Sequence, residues 1–103
     1  MPDLRPIHTA LVGTKVRPVL VLTRAVALGY LTWVSVAPIT TTIRGIAVEV
    51  PVGPRNGLGH DSVVNLDNIV TIRMTDLGRR IGFLLPAQEP MLTAALHAAY
   101  DLD

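Results

Sequence analysis

The chain has no cysteine, which excludes disulfides, zinc ribbons and thiol nucleophiles at once. It is poor in aromatics. Tyr30, Trp33, Phe83 and Tyr100 are the only ones in 103 residues, so the core must be aliphatic. Lysine occurs once, as Lys15; the other eight of the nine cations are arginine, the side chain suited to two-pronged phosphate contact and to stacking on bases. No Gly-x-x-x-x-Gly-Lys loop is present to cradle a nucleotide, and no His pair stands at the helical spacing of a metal site. Met1-Pro2-Asp3 lacks the basic start and apolar run of a secretory signal, so a cytoplasmic protein is expected. The apolar stretch from Pro18 to Ile39 contains Arg24. A charge at a bilayer centre costs roughly 2.5–3.5 kcal/mol. The β-branched alternation there reads as two strands, and no membrane span is expected.

Half of the residues are hydrophobic, and the mean hydropathy is +0.45. The length suits one domain over residues 1–103 with a modest core and apolar surface to spare. A homodimer is the natural way to cover that surface. Net charge is only +1, but it is unevenly spread. Residues 5–80 hold all nine cations against Glu49, Asp61, Asp67 and Asp76, while Asp3, Glu89, Asp101 and Asp103 lie at the ends. Such a basic middle fits a nucleic-acid partner, and equally a solvated arginine-rich face.

The chain is organised around Arg17-Pro18-Val19-Leu20-Val21-Leu22-Thr23, an apolar β-run with one cation at its start. Ala37-Pro38-Ile39 followed by Thr40-Thr41-Thr42-Ile43-Arg44-Gly45 repeats that design. Strands are expected at 7–12, 16–23, 31–39, 46–52 with Glu49 on its wet face, 61–66, 69–74 and 79–84. Gly13-Thr14-Lys15 is a tight connection, and 24–30 is a connection with perhaps one helical turn. Thr40 opens a loop, 53–59 is a Gly- and Pro-rich loop, and Asp67-Asn68 marks a turn or bulge. Thr75 or Asp76 is a candidate cap for a turn at 75–78. Leu92, Ala95, Leu96, Ala99 and Tyr100 form one apolar helical stripe, with Pro90 tolerated in the first turn and Gln88 and Glu89 at its positive end. The fold expected is α+β and mainly β: a small, twisted sheet of five to seven strands, or a half-open barrel, with a C-terminal amphipathic helix.

A guanidinium at a strand end can stabilise charge on a phosphate under attack, and a threonine hydroxyl can hold a phosphate oxygen. Arg17 and Thr40 are the candidates. The plainer reading makes the threonines simple β-formers and gives Arg17 an ion pair with Asp67 or Glu49. The histidines His8, His60 and His97 fall on a strand, a loop and a helix, His97 off the apolar stripe; surface or packing roles are expected for all three.

The order and spacing of Arg17-Pro18-Val19-Leu20-Val21-Leu22, Ala37-Pro38-Ile39-Thr40, Asp61-Ser62-Val63-Val64-Asn65, Asp67-Asn68-Ile69 and Ile81-Gly82 before a helix resemble the MazF/PemK family of toxin endoribonucleases. The resemblance runs through nearly the whole chain. It implies an SH3-like barrel and metal-independent, cofactor-free, sequence-selective cleavage of single-stranded RNA. In that chemistry the ribose 2′-hydroxyl attacks the phosphorus, leaving a 2′,3′-cyclic phosphate and a 5′-hydroxyl. By the same resemblance Arg17 and Thr40 are catalytic. Thr41, Thr42, Arg44, Ser62, Asn65, Asp67 and Asn68 are the candidate substrate-binding residues, with Ser62 and the Asp67-Asn68 pair at positions that line the RNA groove. A cognate antitoxin would lay its acidic and apolar tail in that groove. The chain departs from the family in two places. Arg5-Pro6-Ile7 stands for the usual Arg-Gly-acidic opening, and the long Gly-rich loop before Arg17 is cut to Gly13-Thr14-Lys15.

Two other readings use the same fold. The gyrase-poisoning relatives carry their target contact on a C-terminal Trp-Gly-Ile, whereas this chain ends Tyr100-Asp101-Leu102-Asp103. A regulatory interaction module leaves Arg17 and Thr40 without a purpose.

Overall fold

The computed structural model describes residues 4–23 and 30–100. Seven strands form one antiparallel, unclosed sheet: β1 (Pro6–Val12), β2 (Lys15–Val21), β3 (Trp33–Thr40), β4 (Glu49–Val52), β5 (Ser62–Asn65), β6 (Val70–Arg73) and β7 (Leu77–Phe83). The order is β4-β5-β3-β2-β1-β7, and β6 pairs with the first half of β3. Among the described residues one α-helix, α1 (Glu89–Tyr100), follows. The expected connection at 24–30 lies, but for Tyr30, outside the described residues.

Alternation in β2 and β3 divides the core in two. Leu20, Ala37 and Ile39 join Ile7, Val50, Val64, Leu66, Leu84, Leu92 and Ala95 on the face that α1 covers. Val19, Val21, Val34 and Val36 join Ala10 and Ile72 on the other. Met74 of the β6–β7 connection and Leu77 at the start of β7 pack against this cluster. Each fully buried aliphatic side chain contributes about 1.5–3 kcal/mol, and two interleaved clusters fix the strand register from both faces.

The prolines sit where the ladder has no use for their missing amide. β3 pairs with β2 only from Val19 to Val21, so Pro18 lies on a stretch bonded to β1 alone. Pro38 falls where β3 changes partner, from β6 at Val36 to β5 at Ile39. The β1–β2 connection is as tight as expected. Val12 faces Lys15 across Gly13-Thr14, with Gly13 at φ +64°, a left-handed turn that matches the strand twist.

The loop after β4 is locked from within. Gln88 is fully buried, and its Nε2 donates to the Pro51 carbonyl (3.2 Å) and to Asn56 Oδ1 (3.2 Å). Asn56 Nδ2 donates to Gln88 Oε1 (2.7 Å) and to the Phe83 carbonyl (2.9 Å), while the Leu85 amide also donates to Gln88 Oε1 (2.9 Å). Gln88 therefore does more than suit a helix terminus. It joins the strand ends of β4 and β7 to the start of α1.

Several expected boundaries shift. Thr40 is the last residue of β3, not the first of a loop. β4 begins at Glu49, because residues 47 and 48 form a turn, although the Val48 carbonyl still accepts the Leu66 amide at 2.9 Å. The 66–68 and 74–76 segments are 3-10 turns; neither Thr75 nor Asp76 caps the second, whose capping position is Arg73 with no side-chain bond. β7 runs from Leu77. On α1, Leu92 and Ala95 are buried, Leu96 and Ala99 half-buried, His97 exposed as expected, and Tyr100 exposed despite the stripe. Among the described residues no helix is long and apolar enough to cross a membrane.

Candidate active site

Arg17 sits on the free stretch of β2. The β2–β3 ladder ends at Val19–Pro38; Arg17 lies two residues before that end on β2 and Thr40 two residues after it on β3, and strand alternation puts both on one side of the sheet. Ala10 of β1 and Val63 of β5 flank the pair as their ladder partners. Arg17 is exposed, and among the described residues no carboxylate is within ion-pair reach of it. The ion pair with Asp67 or Glu49 is absent because Arg44 takes both acids. With only two residues in the β1–β2 turn, no long loop from that hairpin stands over the guanidinium.

Thr40 is half-buried, and its Oγ1 accepts a hydrogen bond from the Thr42 amide at 3.1 Å. A lone pair of the hydroxyl is thus occupied by a backbone donor, and its hydrogen remains free to donate. Thr41, Thr42, Ile43, Arg44, Gly45 and Ile46 form an exposed loop leading away from Thr40.

That loop closes on Glu49. The alternation Val48-Glu49-Val50-Pro51 puts Glu49 on the outer face, as expected, but it is not wet. The loop folds back over it and leaves its side chain 3% exposed. Its Oε1 accepts the amides of Arg44 (3.1 Å), Gly45 (2.8 Å) and Ile46 (3.4 Å), and Oε2 accepts Arg44 Nε (3.2 Å). Burial pushes the Glu49 carboxyl up. The Gly45 and Ile46 amides, the Arg44 side chain and the Arg44 amide outweigh it and hold the group below the usual carboxylate range.

Arg44 also reaches Asp67, with Nη2 at 3.7 Å from Oδ2. Both groups are largely exposed, and such a pair adds little stability. Asn65 is buried and accepts the Asp67 amide on Oδ1 at 3.2 Å, which shapes the 66–68 turn. Asn68 is exposed on the same turn. Ser62 is buried; its Oγ donates to the His60 carbonyl at 2.9 Å. It lines a cleft of about 510 Å³ with Ile43, Pro51, Val52, Gly53, Pro54, Arg55 and Asp61. The structure thus draws together Arg44, Asn65 and Asp67 around Glu49, puts Arg17 and Thr40 on neighbouring strands just beyond the end of their shared ladder, and places Ser62 in the adjoining cleft.

The histidines do not converge. His8 Nδ1 lies 2.9 Å from the Gly78 carbonyl and so carries its proton there, His60 is exposed beside the cleft, and His97 is on the outer side of α1. No three His or acidic side chains gather as a metal site among the described residues. Glu49, Arg55 and Asp61 were not among the sequence candidates. Only Glu49 left a trace, as a lone acid in an apolar strand shortly after a glycine.

Residues 4–99 match the family of PemK-like, MazF-like toxins of type II toxin–antitoxin systems. Endoribonuclease MazF3 of Mycobacterium tuberculosis (strain CDC 1551 / Oshkosh) is 58% identical over 100 residues, covering 97% of this chain and 96% of that protein. The structure of Mycobacterium tuberculosis toxin MazF-mt6 superposes with a TM-score of 0.93 at 58% identity, over 96% of this chain and 99% of that one. An endoribonuclease in complex with its cognate antitoxin, from a mycobacterial species, superposes with a TM-score of 0.86 at 28% identity, over 100% and 98% of the two chains. The chain belongs to the PemK-like, MazF-like toxin family.

Proposed function

We propose that this chain, a toxin endoribonuclease of the MazF family, cleaves single-stranded RNA at a short sequence without a metal or other cofactor. The ribose 2′-hydroxyl attacks the adjacent phosphorus and the 5′-oxygen leaves, giving a 2′,3′-cyclic phosphate and a 5′-hydroxyl. Arg17 meets the non-bridging oxygens as negative charge builds on them, and Thr40 donates its hydroxyl to one of them. The observation that supports this reading is an exposed Arg17 with no carboxylate in ion-pair reach among the described residues, on the strand next to the one that ends at Thr40. Thr41, Thr42, Arg44, Ser62, Asn65, Asp67 and Asn68 hold the RNA on either side, Asn65 indirectly through the turn that carries Asp67 and Asn68. The whole of 1–103 serves as one cytoplasmic domain, and a cognate antitoxin blocks the groove with an acidic, apolar tail. Leu11, Val16, Leu31, Trp33, Ile43, Ile46 and Met91 are exposed apolar side chains, which supports a twofold homodimer.

The test is single-turnover cleavage by Arg17→Ala and Arg17→Lys, with circular dichroism to establish folding. Removal of one such donor costs about 10²–10³ in rate, and Arg17→Ala loses at least that. An ammonium cannot copy the planar two-pronged contact, so Arg17→Lys recovers little. A folded Arg17→Ala protein that cuts at the parent rate removes Arg17 from the chemistry.

A further inference from the structure

The 41–46 loop leaves Thr40 with every residue exposed and with no strand, helix or core side chain to give it a shape. Beyond the Thr42 amide bond to Thr40 Oγ1, what holds it is one buried carboxylate. Three successive amides of Arg44, Gly45 and Ile46 converge on Glu49, the Glu49 amide returns to the Ile46 carbonyl at 3.1 Å, and the guanidinium of Arg44 closes the ring. Convergent backbone amides make an anion-binding concavity, and the anion here belongs to the chain itself. Gly45 supplies the bend at φ +72°.

We infer that Glu49 is a positioning residue: its carboxylate sets the shape of the 41–46 loop and the direction of the Arg44 guanidinium, and through them how tightly RNA is held beside Arg17. Glu49 has no path to the substrate of its own, since its side chain is covered. Arg44 spends Nε on Glu49 and leans one Nη on Asp67, so it offers the RNA a guanidinium held in one direction instead of a free cation. This inference rests on reading the Arg17–Thr40 site as the RNA-cleaving centre.

The test compares kcat and KM on a short single-stranded RNA that carries the cleaved sequence. In Glu49→Gln one oxygen becomes a donor, so either the backbone amides or the Arg44 guanidinium loses its acceptor. Gly45→Ala deforms the same loop without touching the carboxylate. Its added methyl meets no atom, but a side chain at φ +72° is strained. In both variants KM rises about tenfold while kcat changes by less than about threefold. Partial unfolding has the opposite signature, because it removes active molecules, lowers the apparent kcat and leaves KM alone. Arg17→Ala is measured alongside. An unchanged KM in the folded variants, with Arg17→Ala inactive, overturns the role of Glu49 alone. If Glu49→Gln does not fold, Gly45→Ala decides by the same criterion. Arg17→Ala cutting at the parent rate overturns the site reading, and the inference falls with it.

Discussion

At Thr40 the hydroxyl oxygen already accepts the Thr42 amide, which fixes the position of the oxygen and leaves its hydrogen free to donate. Thr40→Ser keeps that bond and retains the cleavage rate to within about threefold, whereas Thr40→Ala loses about tenfold, the worth of one neutral hydrogen bond. Single-turnover kinetics on the two variants check this. Glu49 carries a different prediction. Its carboxyl is held below the usual range, so the folded state binds its proton less readily than the unfolded chain does. The stability it contributes is therefore present above the ordinary carboxylate pKa and is lost as pH falls through the depressed one. Urea midpoints of the parent and Glu49→Gln should differ most at pH 7 and converge on acidification. A gap that stays constant with pH would contradict this. The places of Arg17 and Thr40 at the edges of two apolar strands were legible in the sequence, because each stands where an apolar run begins or ends. Glu49 was misread because alternation reports which face a residue is on, and not whether a loop returns to cover that face.

Among the elements, the loop at 53–57 and strand β7 approach more closely than side chains permit. A Cβ at Gly82 would lie 1.8 Å from the Asn56 carbonyl oxygen, and one at Gly57 would lie 2.0 Å from that of Ile81. Both obstacles are backbone, so neither can yield by a rotamer change. Gly82→Ala should cost about 3 kcal/mol, read as a lower urea midpoint. Gln88→Ala leaves the Leu85 amide and the Asn56 side chain short of partners and should cost a similar amount, about 3 kcal/mol. The seven strands were legible from apolar runs and turn residues, and the helix from its stripe. The ends were not. β4 starts three residues late because Ile46–Val48 belong to the turn over Glu49, and Thr40 stays in the sheet because β5 pairs with it. The Gln88–Asn56 bond joins residues 32 apart, a distance at which no local pattern speaks.

For the whole molecule, Leu11, Val16, Leu31, Ile43, Ile46 and Met91 stand exposed, and the cations concentrate in the middle of the chain. Sedimentation at micromolar concentration should give twice the mass of one chain; a stable monomer would contradict the proposed assembly and any groove shared between copies. The central claim is that a guanidinium and a hydroxyl carry out the cleavage without a metal. The most direct measurement is analysis of the RNA ends formed by the intact protein in excess EDTA, with a second RNA lacking only the 2′-hydroxyl at the cleaved step. The account predicts full activity with the chelator, 2′,3′-cyclic phosphate and 5′-hydroxyl ends, and no cleavage of the deoxy-substituted RNA. Activity that EDTA abolishes and magnesium restores, or cleavage of the deoxy-substituted RNA to leave a 5′-phosphate, would contradict it.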